Sequence, residues 1–315
     1  MLYDLFLTIV FFLSSFGFSE FNEISTCNDD EVFEVVCGFQ NPEDLYLSPS
    51  ETKIIVSEFG SLAPNTKFGN LVYFDLSTNK KELISKKLLL EENQSVLDIG
   101  CGWGGMAAHI YKKSNANVVG VTLSEEQIAY AKQRKIREKL EKVEYRLQDY
   151  RNVNEKYDRI VSVGMFEHVG TAHYQEFFNK VYDLLNDSGV ALIHTIGRLN
   201  EPGNTDPWID KYIFPGGYIP ALSETVSRVE KSGLSLTDVQ VLRFHYAETL
   251  KRWRYNFYDN IDKVKEIYDE KFCRMWDFYL SSSQASFEES TLVVFQMQLS
   301  KNKKTVPDSR NYMLT

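Results

Sequence analysis

The stretch Val96-Leu97-Asp98-Ile99-Gly100-Cys101-Gly102-Trp103-Gly104-Gly105 limits what this chain can fold into more than any other. An apolar run ends in an acid, bends through glycines and opens into Met106-Ala107-Ala108-His109-Ile110, the order of a strand, a tight turn and a helix. Gly100 and Gly102 permit a sharp bend and a close backbone approach to a small ligand, and the helix start adds unpaired N–H groups. Downstream the pattern alternates: Val118 to Leu123, a helix from Ser124, Glu144 to Leu147, Asp158 to Val163, a helix over 174–185, then Val190 to Ile196. A helix from Leu222, a strand near 239–242, helices through 246–279 and a last strand over 292–299 complete the set. Such alternation predicts an α/β fold with a doubly wound, Rossmann-like sheet.

Gly100, Gly102 and Gly105 also satisfy the dinucleotide pattern G-x-G-x-x-G. A dinucleotide site wants an acid about 20 residues further on for a ribose hydroxyl, and that window here reads Gly120-Val121-Thr122-Leu123. Asp98, just before the first glycine, is instead placed to meet a cationic amine. S-adenosylmethionine carries such an ammonium beside a sulfonium and has no pyrophosphate to cradle. Thr122 and Gln127 stand at the end of the second strand, where open α/β sheets bind ligands, and can hydrogen-bond a ribose or an adenine. Ser124-Glu125-Glu126-Gln127 reads equally well as a capping box that only starts a helix. Gln148-Asp149-Tyr150 ends the third strand, and Asp149 can accept from an adenine amino group. The expected cofactor set is Asp98, Gly100, Gly102, Gly104, Thr122, Gln127, Gln148 and Asp149.

Two further motifs reach the same rim. Gly164-Met165-Phe166-Glu167-His168-Val169-Gly170 follows the fourth strand, and His194 closes the fifth within His194-Thr195-Ile196-Gly197. A lone histidine at a strand end is as often structural as catalytic; an acid and a histidine converging on one sheet edge point to proton chemistry. Cys27, Cys37, Cys101 and Cys273 form no C-x-x-C pair and have no histidine at zinc spacing, so no metal site is expected. A formal charge of -9 argues against a nucleic-acid partner but leaves a membrane surface open.

The N-terminal quarter has a different texture. Leu5 to Phe18 is too short to span a membrane comfortably and suits a signal-peptide core, although Met1-Leu2-Tyr3-Asp4 lacks the usual basic residue. Glu31 to Thr78 reads as β: a short strand near Leu45-Tyr46-Leu47, then Lys53 to Ser57, then Asn70 to Leu76, resembling a single blade of a β-propeller. A charged amphipathic helix follows over 80–90. The expected organisation is a signal-like or anchor segment over 1–19, a β-rich fragment over 20–79, a catalytic domain over 80–301 and a polar tail over 302–315.

Asp98 to Gly105, Gly120 to Ser124, Tyr157 to Gly170, His194 to Gly197, Asp206 to Gly217 and His245-Tyr246-Ala247-Glu248-Thr249-Leu250 together resemble the cyclopropane-fatty-acyl-phospholipid synthase family. The resemblance implies a Rossmann-like methyltransferase that moves a methyl from S-adenosylmethionine to the cis double bond of a membrane phospholipid acyl chain and then removes a proton to close the ring. It implies a bound bicarbonate as base, held at the positions of Cys101, Glu167, His194, Ile196 and Tyr246. It also implies an acyl channel lined by Trp208, Tyr212 and Phe214; a hydrophobic surface loop is the plain alternative for these three. A homodimer is compatible with this reading.

Members of that family carry a helical lid motif of the type His-Tyr-Asp-Leu-Ser-Asn before the glycine turn. Phe74-Asp75-Leu76-Ser77-Thr78-Asn79 echoes it faintly but lies too close to Asp98. The expectation is a methyltransferase body joined to an unrelated fragment, its activity impaired by the missing lid. Use of S-adenosylmethionine places catalysis at the cytoplasmic face of a membrane, in conflict with an exporting signal. Methyl-branched lipids, N-methylated small molecules and a non-catalytic, cofactor-binding or exported interaction protein are the alternative outcomes.

Overall fold

The computed structural model describes residues 42–47, 53–58, 72–75 and 83–313. The signal-like segment, Cys27 and Cys37 lie outside the described residues. No described helix is long and apolar enough to cross a membrane.

Strands β1 (Pro42–Leu47), β2 (Lys53–Glu58) and β3 (Val72–Asp75) form an antiparallel sheet in the order β1-β2-β3. Leu45 pairs with Val56 and Ile55 with Tyr73, so the three runs of β-branched and aromatic residues meet as strands. Phe74 and Asp75, the start of the lid-like echo, lie in β3.

The larger sheet has seven strands: β4 (Ser95–Ile99), β5 (Asn117–Thr122), β6 (Val143–Leu147), β7 (Tyr157–Val163), β8 (Leu185–Arg198), β9 (Ser235–Leu242) and β10 (Leu292–Ser300). Their order is β6-β5-β4-β7-β8-β10-β9, with β4 to β8 parallel and β10 antiparallel to both its neighbours. Helix α1 (Leu83–Lys87) precedes β4, and α2 (Gly105–Ser114), α3 (Glu125–Arg137) and α4 (Tyr174–Leu184) connect the parallel strands. β8 begins at Leu185, earlier than the apolar run from Val190 suggests, because Leu185 pairs with Tyr157 beyond a register shift in β7.

Alternation along the strands sorts the two faces. Leu97, Ile99, Ile160, Ala191, Ile193, Phe295 and Met297 pack with Tyr174, Phe177, Phe178 and Val181 of α4 into one aromatic-rich core. Phe166 stacks on Tyr174 at 4.4 Å within it. The opposite face carries Asp98, Gly120, Leu192, His194, Gln296 and Gln298, and its polar members are what the site is built from.

The described chain divides into two compact units: one holds 83–205, 217–243 and 291–313, and the other holds β1, β2 and β3 with 206–216 and 244–290. The sheet unit also includes α6 (Leu222–Ser232), here numbered after α5 (Pro207–Tyr212) of the other unit. In the second unit α5 is capped by Asp206, whose carboxylate accepts from Trp208 and Ile209 N–H groups. Helices α7 (His245–Asp259), α8 (Ile261–Ile267) and α9 (Glu270–Glu289) follow there. Residues 302–313 belong to the sheet unit; Val306 and Met313 are buried and Arg310 pairs with Asp238 of β9.

Candidate active site

The apolar run of β4 carries Asp98 to the C-terminal edge of the sheet, where it is buried. Its carboxylate accepts from the Ala107 N–H in the first turn of α2, and its Oδ2 has no hydrogen-bond partner among the described residues. Burial pushes the carboxyl up to about 7, and the Ala107 N–H offsets only part of that. An unpartnered buried carboxylate oxygen is costly, so the site is arranged to receive a donor. An ammonium meets that need.

The glycines divide by role. At Gly104, with φ of 81°, an added Cβ would run into the Tyr145 ring at 2.6 Å, and Tyr145 donates its hydroxyl to the Gly104 carbonyl at 2.8 Å. Protein fills that side of the bend. At Gly102, with φ of 51°, an added Cβ would meet nothing within 4 Å, which leaves open space on that side of the bend. An added Cβ at Gly100 would meet Met165 at 2.7 Å, so the bend abuts the loop that follows β7. The Cys101 side chain lies against Gly120 of β5, and burial pushes its thiol well up.

At the end of β5, Thr122 donates to Gln127 Oε1 at 2.7 Å, and Ser124 Oγ accepts the Gln127 N–H at 3.2 Å. Only half of the expected capping box forms, because Gln127 turns to the Thr122 hydroxyl while the Ser124 N–H also meets that hydroxyl at 3.3 Å. Gln148 donates its amide to the Asn152 carbonyl, and its N–H pairs with Thr122 O. Asp149 accepts from the Arg151 backbone and side chain, and the Arg151 hydrogen bonds hold its carboxyl below the usual range. It is therefore a carboxylate, with acceptor capacity beyond its arginine.

Glu167 sits on a short 3-10 turn, Phe166–His168, directly after β7. Its Oε1 accepts the Ile196 N–H at 2.6 Å, while Oε2 is buried without a hydrogen-bond partner among the described residues. Burial raises its carboxyl above the usual range. The Gly164 N–H donates to the His194 carbonyl at 3.0 Å, which ties the same loop to β8. His194 is 3% exposed; burial first, and the positive charge of Lys87 second, push its imidazole down to about 3, so the ring is neutral. Its Nδ1 faces the Gln296 amide nitrogen at 3.1 Å.

One unit thus carries Asp98, Gly100, Cys101, Gly102, Gly104, Thr122, Gln127, Gln148, Asp149, Glu167, His194 and Ile196 at the C-terminal rim of its parallel strands. Tyr246, Trp208, Tyr212 and Phe214 stand on the other. There Tyr246 packs on Phe287 at 4.8 Å, Trp208 meets Phe278 edge-on at 4.6 Å, and Phe214 meets Tyr279 at 5.9 Å. Tyr212 and Phe278 remain 44% and 54% exposed, an aromatic surface rather than a core. Sequence reasoning missed Tyr145, Lys87 and Gln296. Gln296 and Gln298, alternating within Val293-Val294-Phe295-Gln296-Met297-Gln298-Leu299, were the available signal of a polar feature inside an apolar strand.

A sheet of this order, with its one antiparallel strand inserted beside the edge, a glycine bend after β4 and a buried acid at that bend, defines the Rossmann-like methyltransferase fold. Solved structures agree: the cyclopropane synthase MmaA2 from Mycobacterium tuberculosis is 28% identical with a TM-score of 0.64, over 81% of this chain and 92% of that one. The mycolic acid cyclopropane synthase CmaA1 complexed with SAH and CTAB is 29% identical with a TM-score of 0.64, over 81% and 91%. The chain belongs to the mycolic acid cyclopropane synthetase family, whose model matches residues 75–297. It is 39% identical over 222 residues to the cyclopropane-fatty-acyl-phospholipid synthase of Escherichia coli K12, a match that covers 70% of this chain and 57% of that relative's length.

Proposed function

We propose that this chain transfers a methyl group from S-adenosylmethionine to the cis double bond of an unsaturated acyl chain in a membrane phospholipid, and that loss of a proton then closes a cyclopropane ring. The observation that carries the reading is a pair of buried acids, Asp98 at the glycine bend and Glu167 clamped to Ile196, each with one oxygen lacking a partner among the described residues. S-adenosylmethionine, when bound, supplies an electrophilic sulfonium methyl.

Asp98 would receive the ammonium of the cofactor, with the backbone of the Gly100, Gly102 and Gly104 bend as the expected support for it. Thr122, Gln127, Gln148 and Asp149 would hold the ribose and adenine. Asp149 enters already ionised, so it accepts from an amino group without first losing a proton. The second acid serves a different end. An alkene is a weak nucleophile and the charge it develops is carbocationic, so the residues around it must exclude water and accept a proton at a fixed point.

Cys101, Glu167 and His194 suit a small anion because burial disfavours negative charge on the thiol and the carboxyl and the imidazole adds none. The thiol is protonated, the carboxyl is raised and the imidazole is neutral. On this reading they would hold bicarbonate, which would supply a base. Ile196 acts through Glu167, which takes its N–H. Trp208, Tyr212 and Phe214 offer aromatic faces to the acyl chain and to passing positive charge. The name of the Escherichia coli relative supports a phospholipid acceptor. Action is at the cytoplasmic surface of a membrane, and the working form is compatible with a homodimer.

The test is full-length protein with S-adenosylmethionine and vesicles of a monounsaturated phospholipid, the acyl chains then read by mass spectrometry and proton NMR. The expected product is heavier by one CH2, keeps its total of rings and double bonds, and loses its vinylic protons. Retained vinylic protons, or a saturated methyl branch, overturn the ring-forming reading; cofactor binding without any lipid product supports a non-catalytic role.

A further inference from the structure

Behind His194 lies a buried polar chain that the reaction as described does not use. Lys87, the last residue of α1, is 0% exposed although it belongs to a run of lysines whose pattern suggests a solvated helix face. Its ammonium donates to Gln296 Oε1 at 2.8 Å and to Gln240 Oε1 at 2.5 Å, with Asp238 Oδ2 at 3.9 Å. Gln296, also 0% exposed, turns its other end to His194 Nδ1 at 3.1 Å. Gln298 pins the arrangement by donating to the Lys87 carbonyl, and Tyr312 donates to its Oε1 at 3.2 Å.

Each link has only one chemical sense. Burial lowers the Lys87 amine to about 7 despite the nearby Asp238, so below that pH it is an ammonium, with donors and no acceptor, and can meet the Gln296 side chain only at its carbonyl oxygen. The amide nitrogen is then forced towards His194. An NH2 group can only donate, so Nδ1 must be the lone-pair nitrogen. In a neutral imidazole the proton must then sit on Nε2. The cross-strand pairing of His194 with Gln296 sets the same register from the backbone.

We infer that Lys87 and Gln296 are positioning residues that fix His194 as its Nε2–H tautomer, so that the ring presents a hydrogen-bond donor to an oxyanion. This role deepens the proposed function and rests on it for the identity of the anion; the tautomer itself does not depend on that reading. Burial and the nearby ammonium, which keep the ring neutral, leave a single tautomer to be selected. The glutamine plays the converse part to the carboxylate or carbonyl partner of a metal-bound histidine: that partner accepts the ring N–H, whereas the Gln296 amide donates to Nδ1 and leaves the proton on Nε2, its direction set by a cation one step further back.

The experiment is NMR of full-length protein labelled with nitrogen-15 in histidine, with His194 assigned by its loss in His194→Gln. In the unaltered protein the expected spectrum shows a pyridine-type Nδ1 and a pyrrole-type Nε2. In Gln296→Glu the new carboxylate can only accept, so the proton moves to Nδ1 and the two signal types exchange. Lipid turnover falls ~10-fold or more, as for other groups that orient a working histidine. In Lys87→Met the amide loses its instruction and both tautomers appear. A pyrrole-type Nδ1 in the unaltered protein overturns the inference, and it needs no variant to fold. So does an unchanged tautomer in a folded Gln296→Glu. If the expected tautomer is seen but no lipid product forms, the proposed function fails and the relay stands. A ring product formed by protein with the opposite tautomer fails the relay alone.

Discussion

The backbone N–H of Ile196 is given to Oε1 of Glu167 at 2.6 Å, so the acid at the end of β7 is held by the main chain of β8 and not by another side chain. Main-chain support survives any substitution at Glu167 that keeps an acceptor oxygen. Glu167→Gln should therefore fold normally and bind S-adenosylmethionine within about twofold of the unaltered protein, while turnover drops ~10-fold or more through loss of the titrating group. Calorimetric binding beside a lipid assay checks this, and an unchanged rate would remove Glu167 from the chemistry.

Asp98 offers a prediction that separates binding from stability. Asp98→Asn should weaken cofactor binding by roughly tenfold or more, the worth of a hydrogen bond to a charged group. Without ligand the same change should stabilise the protein near neutral pH. The folded carboxyl titrates at about 7, raised by burial from 3.8, so between those values the native state binds more protons than the unfolded state. Stability attributable to Asp98 is therefore highest below pH 3.8 and falls as pH rises to about 7. Urea unfolding of both proteins across that window should show the difference growing with pH; a constant difference would contradict the burial cost.

Two glycines of the bend should respond differently to the same methyl group. Gly104→Ala drives a Cβ into Tyr145 and holds a left-handed backbone, and should cost about 3 kcal/mol of stability. Gly102→Ala meets open space and should cost about 1 kcal/mol, the backbone term alone. Its larger effect should be on S-adenosylmethionine affinity, because the methyl occupies the open space in which the proposed ligand would lie. Thermal unfolding and binding isotherms for the pair distinguish the two.

Trp208 tests the acyl-channel assignment. The ring packs on Phe278 and Tyr212 at 4.6 Å and 5.6 Å, contacts whose loss should cost about 1 kcal/mol of stability. If this aromatic surface meets the lipid, Trp208→Ala should raise KM for vesicles roughly tenfold and leave kcat nearly unchanged. Equal KM values in the two proteins would return these aromatics to an ordinary surface role.

Much of the sheet was legible because its strands are written as apolar runs closed by acid or glycine, and the bend from Asp98 to Gly105 has few foldable alternatives. The half-formed capping box was not. Gln127 prefers the Thr122 hydroxyl, a choice set by how β5 delivers Thr122 and invisible to local spacing. Lys87 was harder still: a lysine in a charged helix reads as solvated, and what buries it is Gln296 and Gln240, which the chain brings from far along its length. Periodicity reports which face a residue occupies, not which distant polar group will be waiting there.

The insertion of β10 between β8 and β9 has a consequence for how the protein is made. β9 is synthesised first, yet in the finished sheet the place beside β8 belongs to Leu292–Ser300, which pairs with β8 on one side and β9 on the other. Gln296 arrives with β10. A chain ending before residue 292 therefore contains the glycine bend and His194 but lacks the Gln296 amide that meets His194 Nδ1 in the finished sheet.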